Sequence, residues 1–419
     1  MMELREKAIL VGVNLNHQDN FDYSMEELRN LTEACDIEVV GEITQNLQRI
    51  NKSHYVGTGK IDEIRALGEM VEANVIIFND ELSPSQIRNL EADIDCKVID
   101  RTILILDIFA ERARTKEAQL QVEVAQLQYM LPRLVGLRAS LGRQGGGSGL
   151  KNRGAGETKL ELDRRKIEAK IVALNKELEH LVAHRKTQRK QRKKNDVPVV
   201  SLVGYTNSGK STIMNAMVEK FNPLENKQVF EKDMLFATLE TSVRSISLAD
   251  QKSFLLTDTV GFVSKLPHHL VKAFRSTLEE VAESDLLIHV VDYSNPNYER
   301  LMDITNETLK DIGIENIPTI YAYNKSDLMD VHIPMTRGED VFLSAKQRIG
   351  IDELIEMIRK EIFTDYIQCE MLVPYDQGRI ISYFKDHANV MTMSYEENGT
   401  KLVLECKASD FDRYKEFVI

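Results

Sequence analysis

Residues 204–212 read Gly-Tyr-Thr-Asn-Ser-Gly-Lys-Ser-Thr and decide the fold of the central part of the chain. The apolar run 197–203 before them predicts a buried strand, and the run 213–220 after them predicts a helix. Two glycines separated by four residues and followed by Lys and Ser form a phosphate-binding loop in this context. We therefore expect a nucleotide to be bound by Gly204, Tyr205, Thr206, Asn207, Ser208, Gly209, Lys210, Ser211 and Thr212.

The loop and the strand that follows it predict where phosphate and Mg²⁺ would bind. Lys210 is expected to reach the β- and γ-phosphates, and the hydroxyl of Ser211 is expected to ligate Mg²⁺. A second Mg²⁺ ligand is predicted at Asp258, because the apolar strand 254–256 ends in the string Thr-Asp-Thr-Val-Gly. The backbone N–H of Gly261, at the end of that string, can sense a γ-phosphate.

Two later strings select the base. The strand 319–323 ends in Asn324-Lys325-Ser326-Asp327, and a carboxylate at Asp327 can accept hydrogen bonds from both the N1 and the N2 donors of guanine. Adenine has no such pair of donors. The strand 341–343 ends in Ser344-Ala345-Lys346, where a backbone N–H is available to the guanine oxygen. The sequence thus favours GTP and GDP over ATP, with base contacts at Asn324, Lys325, Asp327, Ser344, Ala345 and Lys346.

The residues that govern hydrolysis are predicted less directly. Thr238, in the string Phe-Ala-Thr-Leu, is the expected first-switch threonine that binds Mg²⁺ in the GTP state, and Thr241 is the alternative. Phe262 stands where related GTPases carry a glutamine that orients the attacking water, and phenylalanine cannot do this. We therefore assign catalytic roles to Lys210, Thr238 and Gly261, and we expect slow hydrolysis in the absence of a partner.

Asn207 has two interpretations. Some related GTPases bind K⁺ at this position of the loop, and the charge of that ion can replace a missing arginine. Alternatively, the side-chain amide of Asn207 only stabilises the loop.

The charge distribution points to a polyanionic partner. The chain of 419 residues has a net charge of −12, yet residues 133–195 hold 18 Lys and Arg against 6 Asp and Glu, or +12, which leaves −24 for the remainder. This basic segment could bind nucleic acid by counterion release, or it could be the solvated face of a helix.

Composition indicates a cytoplasmic globular protein. No apolar run approaches the roughly 20 residues that a membrane helix needs, and residues 1–7 are too charged for a secretory signal. The four cysteines are scattered without a C-x-x-C pair, so buried free thiols are expected.

The chain divides into four predicted parts. Residues 1–110 alternate strands and helices and predict a parallel α/β domain. In 111–195, two amphipathic helices at 114–134 and 156–194 predict an antiparallel hairpin. Residues 196–363 form the nucleotide-binding α/β domain, and 364–419 form a small α+β domain.

The segment between the two long helices, residues 141–157, carries seven glycines interleaved with basic residues. Glycine lets the backbone approach a ligand closely, so this loop can fit phosphate or irregular RNA. A plain linker is the alternative. The candidates for RNA contact are Arg143, Gly145, Gly146, Lys151, Arg153 and Gly154.

Over nearly its whole length, the chain resembles the HflX family of ribosome-associated GTPases, within the translation-factor-related class of P-loop GTPases. The strings that carry the resemblance lie largely outside the general GTPase motifs. They are Asp-Arg-Thr-Ile-Leu-Ile-Leu-Asp-Ile-Phe-Ala at 100–110, Arg-Ala-Arg-Thr at 112–115, Leu-Pro-Arg-Leu at 131–134, Gly-Ala-Gly-Glu-Thr-Lys-Leu-Glu at 154–161 and Phe-Arg-Ser-Thr-Leu-Glu-Glu at 274–280.

The resemblance implies a GTPase that binds the large ribosomal subunit near the peptidyl-transferase and subunit-interface region. In several bacteria such proteins split stalled or hibernating ribosomes under stress. It also implies ribosomal RNA as a partner and the ribosome as the agent that stimulates hydrolysis. This chain departs from the family at residues 240–242, where Glu-Thr-Ser replaces the usual Asp-Pro-Thr, so we expect the dynamics of the first switch to differ from those of the family.

Two other functions are compatible with parts of the sequence. The chain could be an RNA-binding remodeller with an additional ATP-dependent activity in its N-terminal half, but residues 57–60, Gly-Thr-Gly-Lys, lack the spacing of a phosphate-binding loop and predict a turn and helix start. The basic run 185–194 could equally bind anionic lipid, which would give a weak membrane association. We expect a monomer, because the surface must fit a ribosomal site.

Overall fold

A computed structural model describes residues 5–16, 20–141, 152–194, 197–221, 236, 241–266 and 280–419. The chain forms two compact units. The first contains Met1–Lys190 together with Lys232–Glu240 and Val260–Leu278, and the second contains the rest of the chain.

The first unit begins with a four-stranded parallel sheet of order β2-β1-β3-β4. Its strands and helices alternate along the chain, as the sequence predicts for residues 1–110. They are β1 (Lys7–Leu15), α1 (Phe21–Ala34), β2 (Glu38–Leu47), α2 (Thr58–Val71), β3 (Val75–Phe78), α3 (Pro84–Ile94), β4 (Lys97–Asp100) and α4 (Arg101–Arg112).

Both faces of this sheet are buried, which explains the continuous apolar runs of its strands. Alternate residues of β1 enter two separate cores: Ala8 and Leu10 pack with α1 and α4, whereas Ile9 and Val11 pack with α2 and α3. The string at residues 57–60 begins α2, with Gly57 as its N-cap, and is not a phosphate-binding loop.

Two long helices follow, α5 (Lys116–Leu141) and α6 (Asn152–Lys194). Lys116 pairs with Glu177, and Glu123 pairs with Lys170 across 2.5 Å. Advancing seven residues along α5 therefore means retreating seven residues along α6, so the two helices run antiparallel. The predicted hairpin is confirmed.

The ends of this hairpin differ from the prediction. Both helices extend farther toward residues 142–151, and Arg153 and Gly154, which were assigned to the loop, lie on the first turn of α6. Glycine inside a helix costs only about 1 kcal/mol relative to alanine, and the helix-forming residues that follow, through Lys159 and Glu161, outweigh that cost.

Residues of the two predicted switch segments also contribute to the first unit. Phe236, Val260 and Val263 are buried in the same core as Leu10 and Phe109. Ser264 donates a hydrogen bond to Glu27, and Arg101 donates one to Ser264 Oγ over 3.1 Å. Lys265 Nζ lies 2.5 Å from Asp80 Oδ1. The N-terminal domain thus binds the segment that directly follows the predicted Mg²⁺ ligand Asp258.

The second unit contains a seven-stranded sheet of order β10-β11-β9-β8-β5-β7-β6, in which the central strands are parallel and the two edge strands antiparallel. Its elements are β5 (Val199–Val203), α7 (Lys210–Phe221), β6 (Ser242–Ser247), β7 (Ser253–Asp258), β8 (Leu286–Asp292), α8 (Tyr298–Asp311), β9 (Thr319–Asn324), β10 (Met335–Arg337), β11 (Asp340–Phe342) and α9 (Ile351–Ile362).

A small α+β domain completes the second unit. Its antiparallel sheet has the order β12-β14-β13 and packs against two short helices. The elements are β12 (Tyr366–Val373), α10 (Gly378–His387), β13 (Asn389–Glu396), β14 (Gly399–Lys407) and α11 (Ala408–Arg413). The α/β fold class and its arrangement along the chain are as the sequence predicts.

The structure also bears on the expected free thiols and on the expected lack of a membrane helix. All four cysteines are free, as expected, but Cys35 and Cys96 are only half-buried. No described helix is long and apolar enough to cross a bilayer.

Candidate nucleotide-binding site

The phosphate-binding loop connects β5 to α7, and its two glycines are required by the backbone. Gly204 has φ +145°, and a Cβ there would lie 2.3 Å from the carbonyl oxygen of Val290. Gly209 has φ +94°, and a Cβ there would lie 2.1 Å from Asn324 Nδ2. A side chain fits neither position, so the loop can adopt this compact form only with glycine.

The loop has unused hydrogen-bonding capacity. The hydroxyls of Thr206 and Ser208 are buried and have no hydrogen-bond partner among the described residues. Lys210 Nζ donates to the carbonyl oxygens of Gly204, at 3.1 Å, and Tyr205, at 2.7 Å. Burial lowers the pKa of Lys210 to about 8, although Asp258 acts in the opposite direction. A buried cation beside free hydroxyls and the N-terminus of α7 fits the phosphates of a nucleotide.

Ser211 and Asp258 form a pair that fits Mg²⁺. Asp258 is fully buried at the carboxyl end of β7, and its Oδ2 accepts a hydrogen bond of 2.6 Å from Ser211 Oγ. Hydroxyl and carboxylate oxygens are the ligands that Mg²⁺ prefers, and the ion usually retains waters in its other positions. The site therefore has the donors that the sequence predicts, brought together from α7 and β7.

Asn324 connects the phosphate loop to the base-binding strings. Its Nδ2 donates to the carbonyl oxygen of Ser208 over 2.9 Å, and its Oδ1 accepts from the backbone N–H of Ala345 over 2.9 Å. Asp327, in the short 3₁₀ segment Ser326–Leu328, accepts a 3.0 Å hydrogen bond from Gln347 Nε2. One amide side chain thus fixes the spacing between the phosphate and base regions.

The remaining predicted residues differ in exposure and in the unit to which they belong. Asn207 has φ +60° and an exposed side chain, with no recorded hydrogen bond to another described residue. Lys346 is exposed, whereas Ser344 and Ala345 are buried. Gly261 and Phe262 belong to the first unit, where Phe262 is buried. Thr238, Arg143, Gly145, Gly146 and Lys151 lie outside the described residues.

Two side chains at this site were not anticipated. Asp292, at the carboxyl end of β8, accepts a 2.7 Å hydrogen bond from Lys325 Nζ and so orients that lysine. An acidic residue that ends an apolar strand was the available signal. His289 lies buried in the same strand, and burial, followed by the charge of Lys210, lowers its pKa to about 4. It therefore stays neutral next to the phosphate site.

Comparison with known proteins covers most of the chain. Family models match residues 22–110 (GTP-binding GTPase N-terminal), 112–192 (GTP-binding GTPase Middle Region) and 199–325 (50S ribosome-binding GTPase). GTPase HflX of Caldanaerobacter subterraneus subsp. tengcongensis is 44% identical over 415 residues, which is 99% of this chain and 94% of that protein. GTPase HflX of Escherichia coli is 39% identical over 401 residues, covering 94% and 92%.

Among solved structures, a GTP-binding protein from Sulfolobus solfataricus in complex with GDP is 24% identical, with a TM-score of 0.44 over 85% of this chain and 99% of that one. The match to the HflX proteins is far stronger, since it extends through the N-terminal, middle and GTPase regions at once. With a phosphate loop, a Mg²⁺-type acid and a guanine-type base site in one sheet, the chain is a GTPase that belongs to the HflX family.

Proposed function

We propose that this GTPase binds the large ribosomal subunit through its helical hairpin and dissociates or rescues stalled or hibernating ribosomes under stress. The observation that carries the proposal is the concentration of positive charge in the hairpin. Residues 133–195 have a net charge of +12 in a chain of net charge −12. Ribosomal RNA is a polyanion that binds such a segment by releasing counterions.

The geometry of the hairpin supports this role. α6 has 43 residues, and at 1.5 Å per residue it extends for about 65 Å. The apolar stripe of α6 is only half-buried at Ile167, Ile171 and Leu174, as expected for a helix that packs mainly against α5. The proposed RNA contacts are Arg143, Gly145, Gly146 and Lys151, between the two helices, with Arg153 and Gly154 at the start of α6. The family description "50S ribosome-binding GTPase" agrees with a large-subunit partner.

The proposed roles at the nucleotide follow from the site. Lys210 would bind the β- and γ-phosphates, while the N–H of Gly261 would detect the γ-phosphate. Ser211, Asp258 and Thr238 would hold Mg²⁺, which supplies charge neutralisation between the β- and γ-phosphate oxygens. Phe262 offers no group that could orient water. Hydrolysis by the isolated protein should therefore be slow, and the ribosome would accelerate it by ordering the switches.

Stimulation by large subunits tests the proposal. We expect purified large subunits to raise GTP turnover at least tenfold. We expect R143Q/K151Q to lose most of this stimulation because it removes two of the positive charges proposed to contact RNA. The matched control K360Q/K415Q neutralises two exposed lysines outside the hairpin and should behave as wild type. Turnover that is equally slow with and without large subunits would refute the ribosomal role.

We further propose that the protein is a monomer in the cytoplasm and that it binds ribosomes there. Light scattering after size exclusion should give a mass near 47.9 kDa. Pelleting with ribosomes should weaken steeply with salt, whereas pelleting with anionic liposomes should be weak, because the basic run 185–194 is short. Strong liposome binding that exceeds ribosome binding would favour the membrane instead.

We also propose K⁺ at Asn207. The exposed amide oxygen of this left-handed loop residue is free to ligate a cation beside the phosphates. Replacing K⁺ by Na⁺ at constant ionic strength should lower turnover several-fold in wild type. The same exchange should have no effect in N207A. Equal turnover of wild type in both salts would remove K⁺ from the site.

A further inference from the structure

The turn between β6 and β7 contains a buried lysine that the nucleotide site does not use. The turn is closed by a 2.8 Å hydrogen bond from Leu248 N–H to the carbonyl oxygen of Lys252, and by a second, of 3.2 Å, from Gln251 N–H to the carbonyl oxygen of Leu248. Lysine at the tip of a hairpin is normally solvated. The Lys252 side chain is instead only 5% exposed.

The small C-terminal domain encloses Lys252. Its ammonium group lies 2.8 Å from Glu405 Oε1, on β14, and 4.5 Å from the ring centre of Tyr366, at the start of β12. Asp250 Oδ2, on the turn itself, is 3.7 Å away. The ring of Phe363 adds a second aromatic contact at 5.5 Å. A carboxylate and an aromatic face together recognise a cation, so the C-terminal domain provides a specific site for this side chain.

Neighbouring contacts fix the same turn. Asp250 Oδ2 accepts a 2.5 Å hydrogen bond from Arg359 Nη2, on α9. Gln251 Nε2 donates a 3.1 Å hydrogen bond to the carbonyl oxygen of Lys385. Three consecutive residues, Asp250, Gln251 and Lys252, are therefore each held by a side chain or a carbonyl group from outside the hairpin. These three contacts oppose displacement of the hairpin tip along its neighbours.

The other end of this hairpin carries the chemistry. β7 runs from the turn directly to Asp258, and β6 begins at Ser242, which pairs with Asp258 across the two strands. Asp258 lies six positions after Lys252, which is about 20 Å along an extended strand. β7 also pairs with β5, the strand that leads into the phosphate loop. Displacement of the tip along the strand axis would therefore be transmitted to Asp258 and to its 2.6 Å contact with Ser211.

We propose that Lys252 is a positioning residue through which the C-terminal domain holds Asp258 beside Ser211, so that this domain sets how strongly the site binds Mg²⁺ with GTP. The proposal rests on the proposed role of Ser211 and Asp258 as Mg²⁺ ligands. The proposal gives the C-terminal domain a part in the GTPase cycle, because a binding partner that moves this domain would act on the metal site through β7.

The Mg²⁺ requirement of turnover provides the test. In K252M, which keeps the length and apolar character of the side chain but lacks its charge, the Mg²⁺ concentration for half-maximal GTP turnover should rise at least threefold. The affinity for GDP measured in excess EDTA should stay at the wild-type value. K252R retains a cation and should restore the wild-type Mg²⁺ requirement.

Two further variants separate positioning from general stability. E405Q removes the charge of the partner and should shift the Mg²⁺ requirement in the same direction, which keeps the test valid if K252M does not fold. K401M breaks the 2.8 Å pair between Lys401 and Glu370, in the same sheet but away from the hairpin, and should leave the Mg²⁺ requirement unchanged.

The outcomes separate the role of Lys252 from the assignment of Ser211 and Asp258 as Mg²⁺ ligands. Folded K252M and E405Q that require no more Mg²⁺ than wild type would overturn the role of Lys252 while leaving the metal ligands in place. A wild-type protein whose turnover does not depend on Mg²⁺ would overturn the assignment of Ser211 and Asp258, and the role of Lys252 with it.

Discussion

Replacing Gly209 with alanine is expected to reduce GTP affinity by roughly 30-fold to more than 1,000-fold. The new Cβ would lie 2.1 Å from Asn324 Nδ2, and this nitrogen donates to the carbonyl oxygen of Ser208. A left-handed backbone costs a non-glycine residue about 1–2 kcal/mol, and loss of a buried hydrogen bond costs about 1–3 kcal/mol. Each 1.4 kcal/mol is about a factor of ten in affinity. Titration with a fluorescent GTP analogue measures the loss.

Gly313 provides the matched control for this variant. It also has a positive φ, of +82°, but a Cβ there meets no atom within 4 Å. G313A should therefore carry a similar backbone cost and a lower thermal midpoint, with GTP affinity near wild type. Wild-type affinity in folded G209A would show that the loop can rearrange, and would refute the close packing of Asn324 against the phosphate loop as a requirement for binding.

Replacing Asp327 with asparagine is expected to reverse the base preference. The carboxylate of Asp327 can accept from both guanine donors, whereas asparagine keeps one acceptor oxygen and turns its NH2 group toward the N2 donor. Loss of one hydrogen bond to a charged group, together with a donor left facing a donor, costs about 3 kcal/mol or more, which is about 100-fold in affinity. Xanthine carries an oxygen in place of the N2 amino group, and the asparagine amide can donate to it. D327N should therefore bind xanthosine triphosphate more tightly than GTP. Competition between the two nucleotides for the fluorescent analogue gives the ratio directly.

Gln347 offers a graded comparison for the base site. Its Nε2 donates to Asp327 Oδ2 over 3.0 Å and so orients the carboxylate. Q347A should weaken GTP binding by less than tenfold and keep the preference for guanine. If D327N binds GTP as well as wild type does, Asp327 is not the residue that reads guanine.

The fold class and the nucleotide site were predictable because their signals are local. A strand, a glycine-rich loop and a helix are contiguous in the sequence, and the acid or amide that ends each strand reaches the same edge of a parallel sheet. Strand β3, at Val75–Phe78, is recognisable in the sequence because Asn74 and Asn79 flank four consecutive apolar residues. The division into four parts at residues 110, 195 and 363 stays a prediction.

What the sequence did not reveal depends on partners that are distant along the chain. Lys252 and Glu405 are 153 residues apart. The sequence around each of them is what one would expect around an ordinary solvent-exposed charged residue. The role of Asp292 likewise becomes visible only in the structure, where Lys325 donates a hydrogen bond to it. The start of α6 was misplaced for another reason, since its glycines are locally unfavourable in a helix and the length of the helix overrides them.

The attachment of residues 260–266 to the N-terminal domain imposes a thermodynamic reciprocity. Val260 and Val263 complete the apolar core beneath α1 and α4, while Ser264 and Lys265 satisfy the charges of Glu27 and Asp80. A nucleotide state that withdraws this segment would expose Val260 and Val263 and break the contacts of Ser264 and Lys265, although Glu27 would retain Arg101 and Asp80 would retain Tyr55. Consider a molecule that binds the N-terminal domain and favours the docked segment. Linkage then requires that this molecule change the affinity for GTP by the same factor by which GTP changes the affinity for this molecule. If the segment moves with the nucleotide state, residues 260–266 couple the N-terminal domain to the nucleotide.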